Sequence, residues 1–497
     1  MPEMLSELVQ LLGKPISPPN SRIRGVTHDS RNVTAGDIYV AVCGASHDGH
    51  DFIADAISMG AAAVIVDQSR QSLLVDSNIP GWSVGDSRQV MGFVADIVYN
   101  HPTQHMHVVG VTGTNGKTST THIIAHLAKG LFEQAGIIGT LGAFSCGVLV
   151  PGQRTTPEAP DLQKMLSRMQ SNSVDMVAME VASHALMHGR VNGCLFDAAV
   201  FTNLTQDHLD FHGSMESYFE AKAHLFTTHF DAASQYGKRP FAVIGIDTEW
   251  GNRLCTMMRD LPYSTYSVSA GSSADFGAAN IRLAASSTEF DLLYNNRSFP
   301  VVLPLGGAFQ IQNALAALAW FIGAGGAVAD GIALLRTCPQ IPGRFEIVPS
   351  ELPFAVVVDY AHTPDGLENV LSTARELCSG KLICVFGCGG DRDRSKRPLM
   401  GSIAEKYCDE VIVTSDNPRS EDAELIIDQI IAGMSSHCVV RRESDRRLAI
   451  ADAVTSRVAN DVVVIAGKGH ETYQIVHDQV IPFDDRLVAS EELSKCS

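Results

Sequence analysis

The chain has 497 residues, which is the length of about three domains, each large enough to bury its own core. It contains 37 Lys and Arg residues against 55 Asp and Glu residues, so its net charge is −18 at pH 7. This negative charge argues against general binding to nucleic acid or to an anionic membrane, and an anionic substrate would have to be met by local cations.

Cysteine usage and hydropathy indicate where the protein works. The eleven cysteines are scattered and include no C-x-x-C pair, which predicts free, mostly buried thiols in a reduced cytoplasmic compartment. The N-terminal segment carries Glu3 and Glu7 and lacks an apolar stretch long enough for a signal peptide. The most apolar stretch, residues 314–329, is too short for a membrane span and is predicted to be a buried helix. We therefore expect a cytoplasmic protein without membrane insertion.

The order of predicted elements divides the chain into three α/β domains. The first, residues 1–102, mixes short strands such as 37–44 with a segment predicted to be helical, 51–66, and ends where His101-Pro102 breaks the pattern. Alternating strands and helices then predict a central domain with a mainly parallel sheet, residues 103–340. After Pro342-Gly343, in the third domain (residues 341–497), apolar runs at 355–358, 382–386, 411–413 and 462–466 each end in a polar or Gly-rich loop. Ligands of open α/β sheets bind at such ends.

Residues 108–120, VVGVTGTNGKTST, predict a phosphate-binding loop between a buried strand and a helix. Gly116, Lys117 and Thr118 fit the usual pattern G-x-x-x-x-G-K-[ST], but Val111 stands at its first position and glycines occur at 110 and 113. Gly113 and Gly116 let backbone N–H groups approach phosphate oxygens, Lys117 adds a positive charge, and the Thr118 hydroxyl can bind Mg²⁺. The structural alternative is a Gly-rich turn without a ligand.

Two later segments of this domain contain candidate metal ligands. Glu180 ends an apolar run, where its carboxylate can reach Mg²⁺ held by nucleotide phosphates, although capping of the next helix is an alternative. The segment FTNLTQDHLDFHG concentrates polar side chains within ten residues, namely Asn203, Asp207, His208, Asp210 and His212. No Cys lies nearby and a phosphate loop requires a hard cation, so Mg²⁺ is favoured over Zn²⁺.

Charged side chains recur at special positions in the rest of the chain. Lys222 lies in a helical context with apolar neighbours, where a surface lysine with a buried stem is the structural alternative. In DNPRSED, Arg419 follows a rigid Asn-Pro turn that suits a bidentate fork. In GKGHE, Glu471 follows a Gly-rich turn, where its carboxylate could hold an ammonium group.

The segment GCGGDRDRSKRP resembles a dinucleotide fingerprint but lacks its full spacing. Its cations, Arg392, Arg394, Lys396 and Arg397, favour recognition of a carboxylate or phosphate, and a solvated charged loop is the alternative.

In this order the segments resemble the Mur ligases, the cytoplasmic ATP-dependent amino-acid ligases of peptidoglycan precursor synthesis. HDSRNVTAGDIYVAVCG and DGHDFI resemble the uridine-diphosphate-binding N-terminal domain of that family, GTNGKTS its ATP loop, and GAFQIQNALAA its adenine-contacting helix. PGRFE, DYAHTPDGL and GCGGDRD complete the C-terminal pattern, so the resemblance covers nearly the whole chain. DNPR followed by GKGHE is the combination found in members that add meso-diaminopimelate. The resemblance implies a P-loop mononucleotide-binding central domain and a Rossmann-like C-terminal domain.

The resemblance also implies a set of contacts. For ATP they are Gly113, Thr114, Asn115, Gly116, Lys117, Thr118, Ser119, Asn313, Arg344 and Asp359. For the UDP-muramoyl-dipeptide they are Ser30, Thr155, Thr156, Ser183, His188 and Arg190. For diaminopimelate they are Arg392, Asp416, Asn417, Pro418, Arg419, Gly467 and Glu471.

The implied catalytic residues are Lys117, Glu180, His208 and Lys222, and the implied Mg²⁺ ligands are Thr118, Glu180, His208 and Lys222. Lys222 matches the lysine that CO₂ carbamylates to N6-carboxylysine in the family, which would turn a cation into an anion. Three positions depart from the family pattern: Arg154 stands where Asn is common, His188 where Gln is usual, and Gln310 where Asn is usual.

The expected function is that of an ATP-dependent amide ligase, which adds meso-diaminopimelate to the D-glutamate γ-carboxylate of UDP-N-acetylmuramoyl-L-alanyl-D-glutamate through an acyl phosphate. Mg²⁺ would be its cofactor, small molecules its only partners, and a monomer its expected state. An L-lysine-adding Mur ligase is the nearest alternative. A P-loop NTPase switch is the alternative from another class.

Overall fold

The structure is a computed structural model, and it describes residues 2–496 apart from 45–46, 78, 153, 259–260, 436 and 456. Three sheets follow one another along the described chain, and a small hairpin accompanies the last of them. The predicted α/β class is confirmed. The domain limits at 102/103 and 340/341 stay predictions.

The N-terminal sheet is parallel throughout and has the order β1-β2-β3-β4. Its strands and the accompanying helices are α1 (Pro2–Leu12), β1 (Gly25–Thr27), β2 (Asp37–Val40), α2 (Ile53–Ser58), β3 (Ala63–Asp67), α3 (Ser72–Ser77), β4 (Gly81–Val84) and α4 (Ser87–Val98). The prediction of one helix over 51–66 is wrong in its second half, where β3 begins. Residues 63–66 are fully buried, and an apolar run buried on both faces lacks the period that separates a strand from a helix.

The central sheet is parallel in its middle and antiparallel at both edges, in the order β15-β14-β13-β12-β11-β10-β5-β9-β6-β7-β8. Its strands are β5 (His107–Thr112), β6 (Ala135–Gly139), β7 (Gly142–Ser145), β8 (Val148–Val150), β9 (Met176–Glu180), β10 (Ala198–Phe201), β11 (Phe241–Gly245), β12 (Tyr263–Ser267), β13 (Phe276–Ala284), β14 (Ser287–Tyr294) and β15 (Arg297–Leu303). Strand β5 lies between β9 and β10, so the loop that follows it opens at the middle of the sheet.

The helices of this region are α5 (Lys117–Leu127), α6 (Ala159–Ser171), α7 (Ser183–Met187), α8 (Leu209–His212), α9 (Met215–Ala223), α10 (Thr228–Gln235), α11 (Glu249–Met257), α12 (Phe309–Gly323) and α13 (Val328–Leu335). Helix α12 is the predicted buried helix, and it packs on α5 in the main apolar core. It ends earlier than residue 329, at Gly323, and a short loop separates it from α13. No helix in the described part of the chain is long and apolar enough to cross a membrane.

The C-terminal sheet has the order β16-β17-β21-β18-β19-β20, which is parallel except at β16. Its elements are β16 (Glu346–Ile347), β17 (Ala355–Asp359), α14 (Pro364–Leu377), β18 (Leu382–Phe386), α15 (Lys396–Tyr407), β19 (Glu410–Val413), α16 (Ala423–Ile431), β20 (Val439–Arg442), α17 (Arg446–Val454), β21 (Val462–Ala466), the hairpin β22 (Tyr473–Val476) and β23 (Gln479–Pro482), and α18 (Asp485–Lys495). The four predicted apolar runs are β17, β18, β19 and β21. All eleven cysteines are free thiols, and six of them are buried, Cys194, Cys338, Cys378, Cys384, Cys388 and Cys408.

Candidate active site

The loop between β5 and α5 has a backbone that requires glycine at two positions. Gly113 has φ +151°, and a Cβ there would collide with the Thr202 hydroxyl. Gly116 has φ +83°, and a Cβ would lie 2.5 Å from the Asn313 amide oxygen. Left-handed backbone and close approach both favour glycine. The neighbours that this loop packs against therefore explain Gly113, one of the two shifted glycines, and the standard Gly116.

Lys117 lies folded over this loop. Its Nζ donates to the carbonyl oxygens of Gly113 at 2.9 Å and Thr114 at 2.7 Å. Burial lowers the pKa of Lys117, and the Glu180 carboxylate opposes that shift. A phosphate entering the loop would add a negative charge close to this lysine, whose Nζ contacts two carbonyl dipoles.

Glu180 ends β9 and is 1% exposed. Its two carboxylate oxygens accept hydrogen bonds from the backbone N–H (2.8 Å) and the hydroxyl (3.1 Å) of Thr140. The Thr140 hydroxyl also lies 3.1 Å from that of Thr155, and the Thr156 hydroxyl donates to the Glu180 carbonyl oxygen at 2.8 Å. Glu180 does not cap the following helix α7. It links the phosphate loop side of the site to residues 155 and 156.

Lys222 is buried, so the surface-lysine alternative is wrong. Its side chain is 1% exposed, and its Nζ donates to the Gly113 carbonyl oxygen at 2.9 Å and lies 4.5 Å from the centre of the Tyr218 ring. Burial, with help from the charge of Lys117, lowers the pKa of Lys222 well below its usual value. The two lysines approach the same carbonyl oxygen from different elements.

Histidines and one aromatic ring form the wall beside the loop. His208 has φ +53° and its ring centre lies 4.8 Å from that of His184. The Ser183 hydroxyl hydrogen-bonds to Nε2 of His212 at 2.9 Å, and the ring of His188 lies 5.4 Å from that of Phe211. Burial lowers the pKa of His208.

The candidate Mg²⁺ ligands are divided between two places. Thr118, Glu180 and His208 line one cavity, whereas Lys222 lies behind Gly113. Within the described ranges, no group of three or more His, Cys, Asp and Glu side chains is arranged to hold a metal ion. Mg²⁺ usually keeps several waters and binds through one or two side chains and substrate phosphates. A hydroxyl and a buried carboxylate facing a phosphate loop fit that preference.

Arg190 and Arg154 both bind Glu158, a buried acid that the sequence analysis missed. The Arg190 Nε lies 3.0 Å from Glu158, and Arg88 from α4 approaches the same carboxylate at 3.9 Å. Three guanidinium groups against one carboxylate leave a surplus of positive charge at this wall, in a protein of net charge −18. Ser30 lies elsewhere, in the N-terminal region, at the start of a short 3-10 helix. The side chain of Asp29 caps this helix.

The remaining predicted nucleotide contacts meet across the cavity, which has a volume of about 500 Å³ and is lined by both the central and the C-terminal regions. The Arg344 guanidinium donates to the Thr118 hydroxyl at 2.9 Å and lies 4.5 Å from the centre of the Tyr360 ring. Asn313 on α12 donates to the Gln310 amide oxygen at 2.9 Å. Asp359 accepts bonds from two backbone N–H groups at 2.7 Å, and burial raises its pKa. Thr114, Asn115 and Ser119 also line this cavity.

Loops after β18, β19 and β21 form a second cluster at the carboxyl edge of the C-terminal sheet. The Asn417 amide donates to Glu471 at 3.0 Å. Lys468, which is fully buried, donates to the same Glu471 oxygen at 3.0 Å and to the Asn417 amide oxygen at 3.2 Å. Asp416 is buried, and a Cβ at Gly467 (φ +115°) would lie 2.6 Å from its carboxylate. Lys468 was missed because the sequence analysis considered only the acid of GKGHE.

Arg419 follows Pro418 with φ +52° and is held by backbone bonds to the β22–β23 hairpin. Its guanidinium donates to the Gly390 carbonyl oxygen at 2.7 Å. A Cβ built on Gly389 would lie 2.9 Å from that guanidinium and 3.8 Å from Arg392 Cγ, so both arginines flank one glycine loop. Within the predicted recognition run the expectation is wrong for Arg397, which is fully buried and binds both oxygens of Glu421. A recognition role for the other cations stays a prediction.

A phosphate loop facing a C-terminal sheet whose edge presents arginines and a carboxylate defines a nucleotide-dependent ligase. Residues 22–99, 111–321 and 343–469 match the Mur ligase family catalytic domain, the Mur ligase middle domain and the Mur ligase glutamate ligase domain. The chain is 43% identical over 484 residues to the UDP-N-acetylmuramoyl-L-alanyl-D-glutamate–2,6-diaminopimelate ligase of Syntrophomonas wolfei, covering 96% of each chain. It is 44% identical over 476 residues to the ligase of the same name from Geobacillus kaustophilus, covering 95% of this chain and 94% of the relative. The chain belongs to the Mur ligase family and is an ATP-dependent ligase.

Solved structures agree with this assignment. A UDP-N-acetylmuramoyl-L-alanyl-D-glutamate–2,6-diaminopimelate ligase superposes with a TM-score of 0.68 at 33% identity, covering 98% of both chains. A UDP-N-acetylmuramoylalanyl-D-glutamyl-2,6-diaminopimelate–D-alanyl-D-alanyl ligase from Acinetobacter baumannii superposes with a TM-score of 0.65 at 17% identity, and so shares the fold.

Proposed function

We propose that this chain joins meso-diaminopimelate to the D-glutamate γ-carboxylate of UDP-N-acetylmuramoyl-L-alanyl-D-glutamate, and converts ATP to ADP and phosphate. The relatives that match nearly the whole chain bear the name of this reaction. The observation that carries the proposal is the cluster of Arg419, Arg392 and Glu471 on three loops of a sheet that faces a phosphate loop. That the protein acts in the cytoplasm as a monomer stays a prediction.

The first step activates a carboxylate, which is otherwise a poor acylating group. A γ-carboxylate oxygen attacks the γ-phosphorus of ATP, the bond to the β,γ-bridging oxygen breaks, and an acyl phosphate and ADP result. Lys117 would neutralise charge on the moving phosphoryl group, since its Nζ already lies within the loop. Thr156, bonded to the Glu180 carbonyl oxygen, and Thr155, bonded to the Thr140 hydroxyl, would place the carboxylate beside that group.

Thr118 and Glu180 would hold Mg²⁺, and His208 lines the same cavity. When bound, the ion would offset the charge of the phosphates and of the incoming carboxylate. The Thr118 hydroxyl accepts a hydrogen bond from the Arg344 guanidinium. For this oxygen to bind Mg²⁺, the Arg344 side chain would have to turn away from Thr118 and towards the nucleotide.

The burial of Lys222 supports its modification by CO₂. Only a neutral amine can attack CO₂, and the lowered pKa of buried Lys222 favours that form. The nitrogen bonds to the carbon of CO₂ and loses a proton, which leaves a carbamate anion. An anion there would face Lys117 and the phosphate loop, where a cation leaves two like charges close together.

The second step makes the amide. The amine of diaminopimelate attacks the acyl carbon, the tetrahedral intermediate expels phosphate, and the nitrogen loses a proton. Glu471 would hold an ammonium group of the amino acid, because Lys468 and Asn417 fix only one of its two carboxylate oxygens.

Selection of diaminopimelate follows from the far carboxylate, which L-lysine lacks. Arg419 and Arg392, from two different loops, flank the glycine loop at Gly389 and could both pair with that group. With L-lysine both arginines would lack that partner, which discriminates between otherwise similar substrates.

The proposal is tested by phosphate release from ATP in the presence of the UDP-muramoyl-dipeptide. Reactions contain meso-diaminopimelate, L-lysine, L-ornithine or no amine. We expect release to depend on meso-diaminopimelate. Release without any amine would indicate an NTPase switch, and a preference for L-lysine would indicate the lysine-adding ligase.

A further inference from the structure

Helix α14 of the C-terminal region begins directly against the phosphate loop. Asp365 lies in its first turn and lines the cavity. One carboxylate oxygen, Oδ2, accepts hydrogen bonds from the side-chain amide of Asn115 and, at 3.2 Å, from the hydroxyl of Thr205. These donors are 250 and 160 residues away in sequence, so the bonds join two regions that no short segment connects.

Asn115 is part of the phosphate loop, and Thr205 is hydrogen-bonded to that loop. The backbone N–H of Asn115 donates to the Asn203 side chain at 3.0 Å, and its carbonyl oxygen accepts from the Thr202 hydroxyl at 2.6 Å. The backbone N–H of Thr205 donates to the Thr114 hydroxyl at 3.0 Å. The position of Asp365 therefore depends on the conformation of the loop that would receive the phosphates.

The acceptor is suited to this link. A carboxylate in the first turn of a helix is stabilised by the helix dipole, and its hydrogen bonds are stronger than those of a neutral acceptor. Thr363 caps the same turn by accepting the Gly366 N–H at 3.1 Å, which fixes the start of the helix. The first turn of α14 therefore holds the Asp365 carboxylate in a fixed position against the phosphate loop.

We infer that Asp365 is a positioning residue that couples the phosphate loop to the C-terminal domain. The inference rests on the proposed function, in which the loop forms the acyl phosphate and the C-terminal loops supply the amine. With the Asp365 bonds formed, the amine site is held over the loop. Without them, the loop still makes the acyl phosphate, but the amine reaches it less often.

The test separates the two half-reactions. Exchange of labelled ADP into ATP, measured with the UDP-muramoyl-dipeptide and no amine, reports acyl-phosphate formation alone. For Asp365→Ala, kcat/KM for diaminopimelate should fall about 10- to 100-fold, the value of a hydrogen bond to a charged group, while exchange changes less than about twofold. Asp365→Asn should lie between this variant and the wild type.

Glu368→Gln is the matched control. Glu368 lies one turn further along α14 and bonds Lys406 at 2.8 Å and Tyr407 at 2.9 Å, both in the C-terminal region. This variant should change neither half-reaction. Thr205→Val should lower kcat/KM in the wild-type background and have no further effect in Asp365→Ala, because the two residues share one bond.

An equal loss in exchange and in ligation would assign Asp365 a merely structural role and overturn the inference. If the wild-type enzyme forms the amide but Asp365→Ala changes neither half-reaction, as expected for Glu368→Gln, the inference is also overturned. The proposed function would then stay intact. A wild-type enzyme that forms no amide would overturn the proposed function, and this inference with it.

Discussion

Arg419 is a residue whose backbone and charge serve the same purpose. The left-handed φ and the backbone bonds to the β22–β23 hairpin fix the main chain of Arg419. The hydrogen bond to the Gly390 carbonyl oxygen fixes its guanidinium group. Such a prearranged fork selects a substrate carboxylate at a small cost in side-chain entropy.

Arg419→Ala should therefore lose amino-acid recognition and keep nucleotide binding. We expect kcat/KM for diaminopimelate to fall about 100-fold, since a bidentate charge-assisted pair is lost, and the Kd of ATP to change less than about twofold. Steady-state kinetics and calorimetric titration of a nucleotide measure the two quantities. Arg447→Ala, which removes an exposed guanidinium paired with Glu491 elsewhere in the C-terminal region, is the control. Equal losses for both ligands would contradict the assignment of the site.

Lys222 is the second residue for which charge is decisive. Lys222→Ala should be inactive, and a short carboxylate such as formate or acetate should restore part of the activity by replacing the carbamate. Lys164→Ala, an exposed lysine on α6, should remain fully active. Activity is measured as phosphate release with all substrates present. Full activity of Lys222→Ala without an added carboxylate would show that the carbamate is dispensable.

At the scale of elements, His101 joins α1, α4 and the segment that leads into β5. Its Nδ1 lies 2.6 Å from Asp96 and its Nε2 2.8 Å from Glu7, and these bonds raise the pKa of His101 to about 9. A raised pKa means that the folded state binds the proton more tightly than the unfolded state. The stabilisation is complete below the unfolded pKa of about 6.5 and disappears as the pH rises through about 9.

The melting temperature should therefore fall between pH 7 and pH 10 more steeply in the wild type than in His101→Asn, which tolerates the left-handed backbone (φ +50°) but cannot be protonated. Burial raises the pKa of Asp96, and this carboxylate and that of Glu7 are the two bonded to the histidine ring. Parallel curves for the two proteins in a thermal-melting series would show that the histidine adds no stability.

Elements with a clear local signal were predictable, and those without one were not. Strands β18 and β21 match their predicted runs because a bounded apolar run of five residues is typical of a buried parallel strand. The β3 segment failed because residues 63–66 are apolar on both faces. The antiparallel edges β7–β8 and β13–β15 were not predicted, since their partly exposed residues lack such a run.

The residues of the candidate site also divide into those with a local sequence signal and those without one. Gly113, Lys117 and Thr118 follow from one contiguous motif, and Glu180 follows from its place at the end of an apolar run. The family resemblance predicted separate contacts such as Asn313 and Arg344. Glu158, Lys468 and Asp365 were not identified, because their roles depend on partners brought together by the fold. Periodicity and motif spacing contain no information about such pairs.

At the scale of the whole molecule, the two chemical halves of the reaction belong to different sheets. The phosphate loop lies at the middle of the central sheet, and the arginine and carboxylate loops lie at the edge of the C-terminal one. Arg344, Asp365 and the shared cavity connect them. Such an arrangement lets an acyl phosphate form in one region and be shielded from water while the amine arrives from another.

The most direct test of the account is product mass from competing amines. The enzyme is given ATP, Mg²⁺ and UDP-N-acetylmuramoyl-L-alanyl-D-glutamate with equal amounts of meso-diaminopimelate, L-lysine and L-ornithine. We predict that the peptide product carries the mass of added diaminopimelate almost exclusively, with one ADP formed per amide. A product that carries mainly lysine or ornithine, or ADP formed with no amide at all, would contradict the account.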